Sequence, residues 1–157
     1  MKLYHGSTID IAKVDLALSK PNKDFGRAFY LSDDRQQALE MAQFRAEFEE
    51  TEHVVNVYEF DEALLQEFRY KRFEAYTEEW AHFVYDHRTE PHGQTLHDYD
   101  IVYGPIANDR VGAQIARYKQ GYITFDEFLR RIQYIKGITF QYAFCTQRAI
   151  DKLEKIK

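Results

Sequence analysis

One segment near the end of the chain limits the fold more than any other. Thr139-Phe140-Gln141-Tyr142-Ala143-Phe144-Cys145 alternates strictly between large aromatic residues and smaller ones. Strand side chains point to opposite faces in turn, so Phe140, Tyr142 and Phe144 share one face and Gln141, Ala143 and Cys145 the other. The aromatic face requires a packed core. The other face sets small residues around one amide, which leaves room there for a ligand. Such a strand needs neighbours to pair its backbone, and the chain offers them at 2–7, 27–31, 53–60 and 99–105, with another extended piece within 64–73. Residues 20–26 read as a loop by their turn chemistry.

The intervening helices follow no regular beat. Asp33 with Gln36 forms a capping box, and Ala38, Met41, Phe44 and Phe48 then supply an apolar face to about Glu50. Residues 77–87 place Trp80, Phe83, Val84 and His87 at the spacing of a buried helical face. Residues 109–119 form another helix. Thr124 and Glu127 cap the next one ahead of Phe128, Leu129 and Ile132, and Ala149, Ile150 and Leu153 lie on a final one. Strands and helices that do not alternate argue against a doubly wound parallel sheet and for an α+β fold.

At 157 residues the chain fits one domain, 1–157, and a chain of this size buries about 68–70% of the surface it exposes when unfolded. Neither a Pro/Gly/Ser-rich linker nor an internal repeat divides it. No apolar run approaches the roughly 20 residues of a membrane span, and the first residues carry no signal-peptide pattern. Cys145 is the only cysteine, which excludes a disulfide framework and multi-cysteine zinc sites and suits a reducing cytoplasm.

The net charge of −5 is uneven. Residues 33–67 hold eleven Asp/Glu against Arg35 and Arg45, a local −9, and the remainder sums to +4. That field does not favour non-specific nucleic-acid binding, and the densest basic run, Arg69-Tyr70-Lys71-Arg72, reads first as a solvated strand or loop.

Several familiar signals fail. Residues 121–127 imitate the end of a calcium-binding loop, but of Ala116, Tyr118 and Gln120, at the ligand positions counted back from Gly121, only Gln120 carries a side-chain carbonyl. His82, His87, His92 and His97 recur every five residues, a step that makes the rings diverge on a helix, so no metal site is expected. Glycine-rich phosphate loops and a nucleophile elbow are absent. Cys145 reads as a small buried residue.

Three short segments remain: Leu3-Tyr4-His5-Gly6-Ser7, Asp24-Phe25-Gly26-Arg27-Ala28-Phe29-Tyr30-Leu31-Ser32, and the alternating strand around Gln141. Together they resemble the ADP-ribosyltransferase-like superfamily of the His-Tyr-Glu/Gln type, within it a bacterial family of uncharacterised proteins. The resemblance extends through Glu79-Trp80, His87-Arg88 and the run from Tyr99 to Asp109. It implies a split, mainly antiparallel sheet flanked by helices, and a cleft for NAD⁺ as substrate. In that cleft His5 would hold the adenosine ribose, the Gly6 backbone and neighbouring Ser7 the nicotinamide side, Tyr30 would stack on nicotinamide, and Gln141 would bind the nicotinamide ribose. Arg27 would neutralise the pyrophosphate.

The activity implied is transfer of ADP-ribose to a macromolecular acceptor, protein or nucleic acid, without a metal. Small bacterial proteins of this kind look like toxins, phage-defence components or effectors, and a toxin implies an inhibitory antitoxin partner. Active members of the superfamily usually carry Glu where this chain has Gln141, which turns attention to Asp100, Glu79 and Glu127 as other sources of a carboxylate. Two other readings stand beside this one. The first is a catalytically silent module that binds NAD⁺, ADP-ribose or a nucleic-acid end, and the second is an interaction protein using the acidic 33–67 surface.

Overall fold

Short strands must pair every backbone N–H and C=O that they bury, and in the computed structural model of this chain they do so in two separate sheets. The structure describes residues 1–132 and 138–156; the rest of the expected 1–157 domain lies outside the described residues. In chain order the elements are β1 (Lys2–Ser7), β2 (Phe29–Leu31), α1 (Arg35–Glu49), β3 (Val54–Glu59), β4 (Tyr70–Arg72), α2 (Glu78–Thr89), β5 (Ile101–Pro105), α3 (Asp109–Lys119), α4 (Phe125–Ile132), β6 (Phe140–Phe144), α5 (Gln147–Ile150) and β7 (Glu154–Lys155). One sheet runs β1-β3-β7 and the other β2-β6-β5-β4. Every pairing is antiparallel except β4 with β5. The fold is α+β with a split, mainly antiparallel sheet.

The alternating strand β6 lies inside its sheet, between β2 and β5, and its two faces serve two cores. Phe140, Tyr142 and Phe144 pack with Leu3, Phe29 and Tyr58 in one. Ala143 and Cys145 face the other, which gathers Trp80 and Val84 of α2, Val111 and Ile115 of α3 and Phe128 of α4. Ala143 is fully buried there. The expectation of open space on this face is therefore corrected around Ala143, where helix side chains fill it.

Helix α1 departs from its expected face. Its cap is Asp34, one residue later than expected, with the carboxylate accepting from Gln36 N at 3.0 Å. The residues it buries are Ala38, Ala42 and Ala46, while Met41, Phe44 and Phe48 are 51%, 70% and 85% exposed. Gly6 supplies the reason: a Cβ built on it would lie 2.1 Å from Ala38 O and 2.7 Å from Ala42 N. Strand and helix backbones approach so closely that only alanine fits between them. Gly6→Ala should therefore push β1 off α1 and cost about 1–3 kcal/mol in urea unfolding; unchanged stability would show that the contact is slack.

The remaining elements follow the pattern more closely. Thr77, Asn108 and Thr124 each accept a hydrogen bond from a backbone N–H in the first turn of α2, α3 and α4. The piece expected within 64–73 is a 3₁₀ turn at Glu62–Glu67 followed by β4. The last helix is shorter than expected, and β7 follows it unannounced. Among the described residues no helix is long and apolar enough to cross a membrane.

Candidate functional site

Among the described residues, the backbones of β1 and of the chain leaving β2 are bridged at one residue pair, Tyr4 and Ser32, which exchange both backbone hydrogen bonds at 2.8 Å. In an antiparallel ladder successive residues turn their N–H and C=O to opposite sides. Tyr4 points at β2, so Gly6 points the same way, toward the place where β1 and β2 part. The next bond across the gap is a side chain's: His5 Nδ1 lies 2.6 Å from Tyr30 O. A carbonyl can only accept, so Nδ1 carries the proton and Nε2 holds a lone pair. Among the described residues Nε2 has no hydrogen-bond partner, yet no fully buried side-chain nitrogen or oxygen lacks one. Within those residues the Nε2 lone pair is left without a donor.

Burial keeps His5 neutral. It lowers the ring's pKa to about 4 against the raising effect of the Tyr30 carbonyl, and nearby Arg45 lowers it further. The ring lies 4.3 Å from that of Phe29, whose side chain belongs to the core on the Phe140 side of β6. Tyr30 packs against the opposite core. Its hydroxyl donates to Gly26 O at 2.7 Å and accepts from Phe25 N at 2.9 Å, and burial pushes its pKa well up. These bonds fix the ring at the turn leading into β2.

Across β2 and β6, Tyr30 pairs with Ala143. Directly opposed residues share a face, and Gln141 lies on that face two residues along. Its Nε2 donates to Asp24 Oδ2 at 3.2 Å; since a carboxylate only accepts, this also fixes which end of the amide is which. No described residue bonds Gln141 Oε1.

Asp24 is the residue that sequence reasoning missed. It is buried and holds Arg88 at 2.7 Å, Ala107 N at 3.0 Å and Gln141 together. Arg88 also donates to Ala107 O. Asp24 opens the second quoted segment, but turn chemistry assigned it to a loop, and nothing local marks a carboxylate whose partners lie 64, 83 and 117 positions away. Asp24→Ala should destabilise by about 2 kcal/mol. That is less than the roughly 3–5 of a fully buried pair, because Arg88 is 31% exposed and can turn to water. An unchanged urea midpoint would count against a structural role for the cluster.

The other expected carboxylates lie elsewhere. Asp100 is held by Thr146 Oγ1 at 2.8 Å, Arg148 at 2.7 Å and Arg69 N at 3.0 Å; burial raises its pKa, but these partners outweigh it and the net shift is down. Glu79 pairs with Lys71 at 3.0 Å, and Glu127 with Arg130 and Arg131. Arg27 donates to Ser19 O, so its guanidinium is tied to the loop. Ser7 is buried and its Oγ accepts from Ile9 N at 3.3 Å.

The basic run meets acidic partners, Arg69 with Asp98 and Arg72 with Glu74. Burial pushes the Cys145 thiol up to about 12, so it is no nucleophile at neutral pH. His87 and His97 do not diverge: the helix ends at Thr89, the chain turns back, and the two rings meet at 5.3 Å. Their nitrogens are engaged with Phe83 O, Leu96 N, Phe25 O and Tyr99 N, which clamps the segment after α2 to the core.

A family model described as a protein of unknown function (DUF3990) matches residues 1–155. No curated protein and no solved structure matches the chain.

Proposed function

The chain belongs to the DUF3990 family, and we propose that it is an NAD⁺-dependent ADP-ribosyltransferase that releases nicotinamide and moves ADP-ribose to a macromolecular acceptor. The observation that carries this reading is the parting of β1 from β2. Beyond the Tyr4–Ser32 pair, the Gly6 backbone groups, the His5 Nε2 lone pair and the Gln141 Oε1 lie on the strands bordering that gap or paired with them. These are a backbone donor and acceptor suited to a carboxamide and two neutral acceptors suited to ribose hydroxyls. In this reading Tyr30, packed on the opposite core from the His5 contact, would turn its aromatic ring to the cationic nicotinamide.

In the reaction the bond from C1′ of the ribose to the nicotinamide nitrogen breaks, and nicotinamide leaves neutral with the bonding pair. The oxocarbenium-like sugar is then attacked by an acceptor heteroatom, which loses its proton. Orientation of the sugar is the main requirement. Gln141 meets it through Oε1, with the amide held from behind by Asp24, whose charge is largely offset by its ion pair with Arg88. In this reading Arg45, whose charge is felt at His5, would face the pyrophosphate in place of Arg27, which is tied to Ser19 O. The resemblance suggests a bacterial toxin, phage-defence component or effector.

A second reading rests on a specific observation. The Tyr30 hydroxyl, the His5 Nδ1 and the Gln141 Nε2 are already satisfied within the chain, as a silent NAD⁺ or ADP-ribose module would also have them. Both readings require binding. NAD⁺ at about ten times its Kd should stabilise the protein by about 1.4 kcal/mol, roughly 3–5 °C in melting temperature for this size. Tyr30→Leu, which keeps apolar volume but loses the aromatic face, should abolish the rise. Nicotinamide release then separates enzyme from module, and no thermal shift together with no heat in calorimetry would sink both.

A further inference from the structure

We propose that the outer face of α1 is a docking surface for another protein, specifically for an amphipathic helix whose apolar ridge is flanked by Lys and Arg. Met41, Phe44 and Phe48 follow one another at steps of three and four, so they form one stripe along the helix. All three are more than half exposed, and two of them are phenylalanines at 70% and 85%. The stripe is not the edge of the core, because α1 already buries Ala38, Ala42 and Ala46 against β1. A monomer gains nothing from two bare phenylalanines on a helix that is otherwise anchored by alanines.

Shape and charge together select the occupant. From Met41 to Phe48 the stripe runs seven residue steps, about 10 Å at 1.5 Å per step, and a helix laid along it is the shape that fills it. Its surroundings are acidic: Glu40, Glu47, Glu49, Glu50 and Glu52 are all exposed, and residues 40–52 contain one cation, Arg45. The helix ends in this cluster, so the negative end of its dipole adds to the field. A second copy would bring the same carboxylates face to face, and phosphate-rich surfaces would be repelled. A basic helix is attracted by the rim and dehydrated by the stripe.

The test uses two synthetic helical peptides with one leucine ridge, flanked by Lys and Arg in the first and by Glu in the second. Fluorescence anisotropy should show the basic peptide binding the whole protein at least about tenfold more tightly than the acidic one. Phe44→Ser/Phe48→Ser should lose that binding with an unchanged melting temperature, since both side chains are already in water. Glu40→Lys/Glu47→Lys should weaken it. Equal binding to wild type and the double serine variant would reduce the effect to bulk charge and overturn the proposal. So would no binding at about 100 µM, or sedimentation showing that wild type dimerises through these phenylalanines. NAD⁺ plays no part in these measurements, so they stand apart from the proposed activity.

Discussion

Between about pH 6.5 and pH 4 the protein should lose roughly 3 kcal/mol of stability through His5 alone. In the unfolded chain the imidazole takes up its proton near 6.5, whereas burial in the folded protein holds the pKa at about 4. Within that window the unfolded state binds more protons, so stability falls as pH falls. The contribution is complete above 6.5, shrinks as pH drops toward 4, and changes no further below that. About 2.5 pH units at 1.36 kcal/mol each gives the magnitude. His87 and His97, also lowered by burial, act in the same direction. Carboxylates also shape acid unfolding, so the comparison is with His5→Asn, whose amide can still donate to the Tyr30 carbonyl but takes up no proton. Urea unfolding at several pH values should show the two proteins converging in stability toward pH 4. Parallel curves would mean that His5 is not held neutral by the fold.

Much of the fold could be read from local pattern because local chemistry produces it. Helices α2, α3 and α4 carry capping side chains and apolar spacing within their own sequences, and β6 carries an alternation that the two cores match residue by residue. The failures occur where a distant backbone decides. Nothing within residues 35–49 reveals that the facing strand presents a glycine, so the spacing reads Met41, Phe44 and Phe48 with Ala38 as the buried side and leaves out Ala42 and Ala46. Strand β7 has two residues, Glu154 and Lys155, and exists because β3 offers it an edge. The same distinction holds at the candidate site. His5, Tyr30 and Gln141 stood out because the resemblance gives each a role, whereas Asp24, in the same segment as Tyr30, gains its place from Arg88, Ala107 and Gln141, all remote in the chain.

That remote carboxylate changes what Gln141 substitutions should do. Under the proposed function, Gln141→Ala should leave NAD⁺ affinity nearly intact and cut nicotinamide release by about 10²–10³, the cost of removing one well-aimed hydrogen bond to a developing charge. Gln141 is half-buried, and among the described residues its side chain has one hydrogen-bond partner, so the fold should survive. Glutamate at the same position is a different case. Its carboxylate would sit about where the amide nitrogen now lies, 3.2 Å from Asp24 Oδ2, and two carboxylates at that distance cannot both ionise easily. Gln141→Glu alone should therefore share a proton with Asp24 and gain little at neutral pH. Asp24→Asn/Gln141→Glu restores an amide facing a carboxylate with the charge moved to position 141, and it should release nicotinamide faster than the single glutamate variant. Stopped assays of nicotinamide across about pH 5–9 distinguish these cases. If Gln141→Ala keeps the wild-type rate, the amide does not touch the sugar. If wild type releases nothing with or without cell extract, and only the double exchange turns release on, the protein is a binding module and the transferase reading falls.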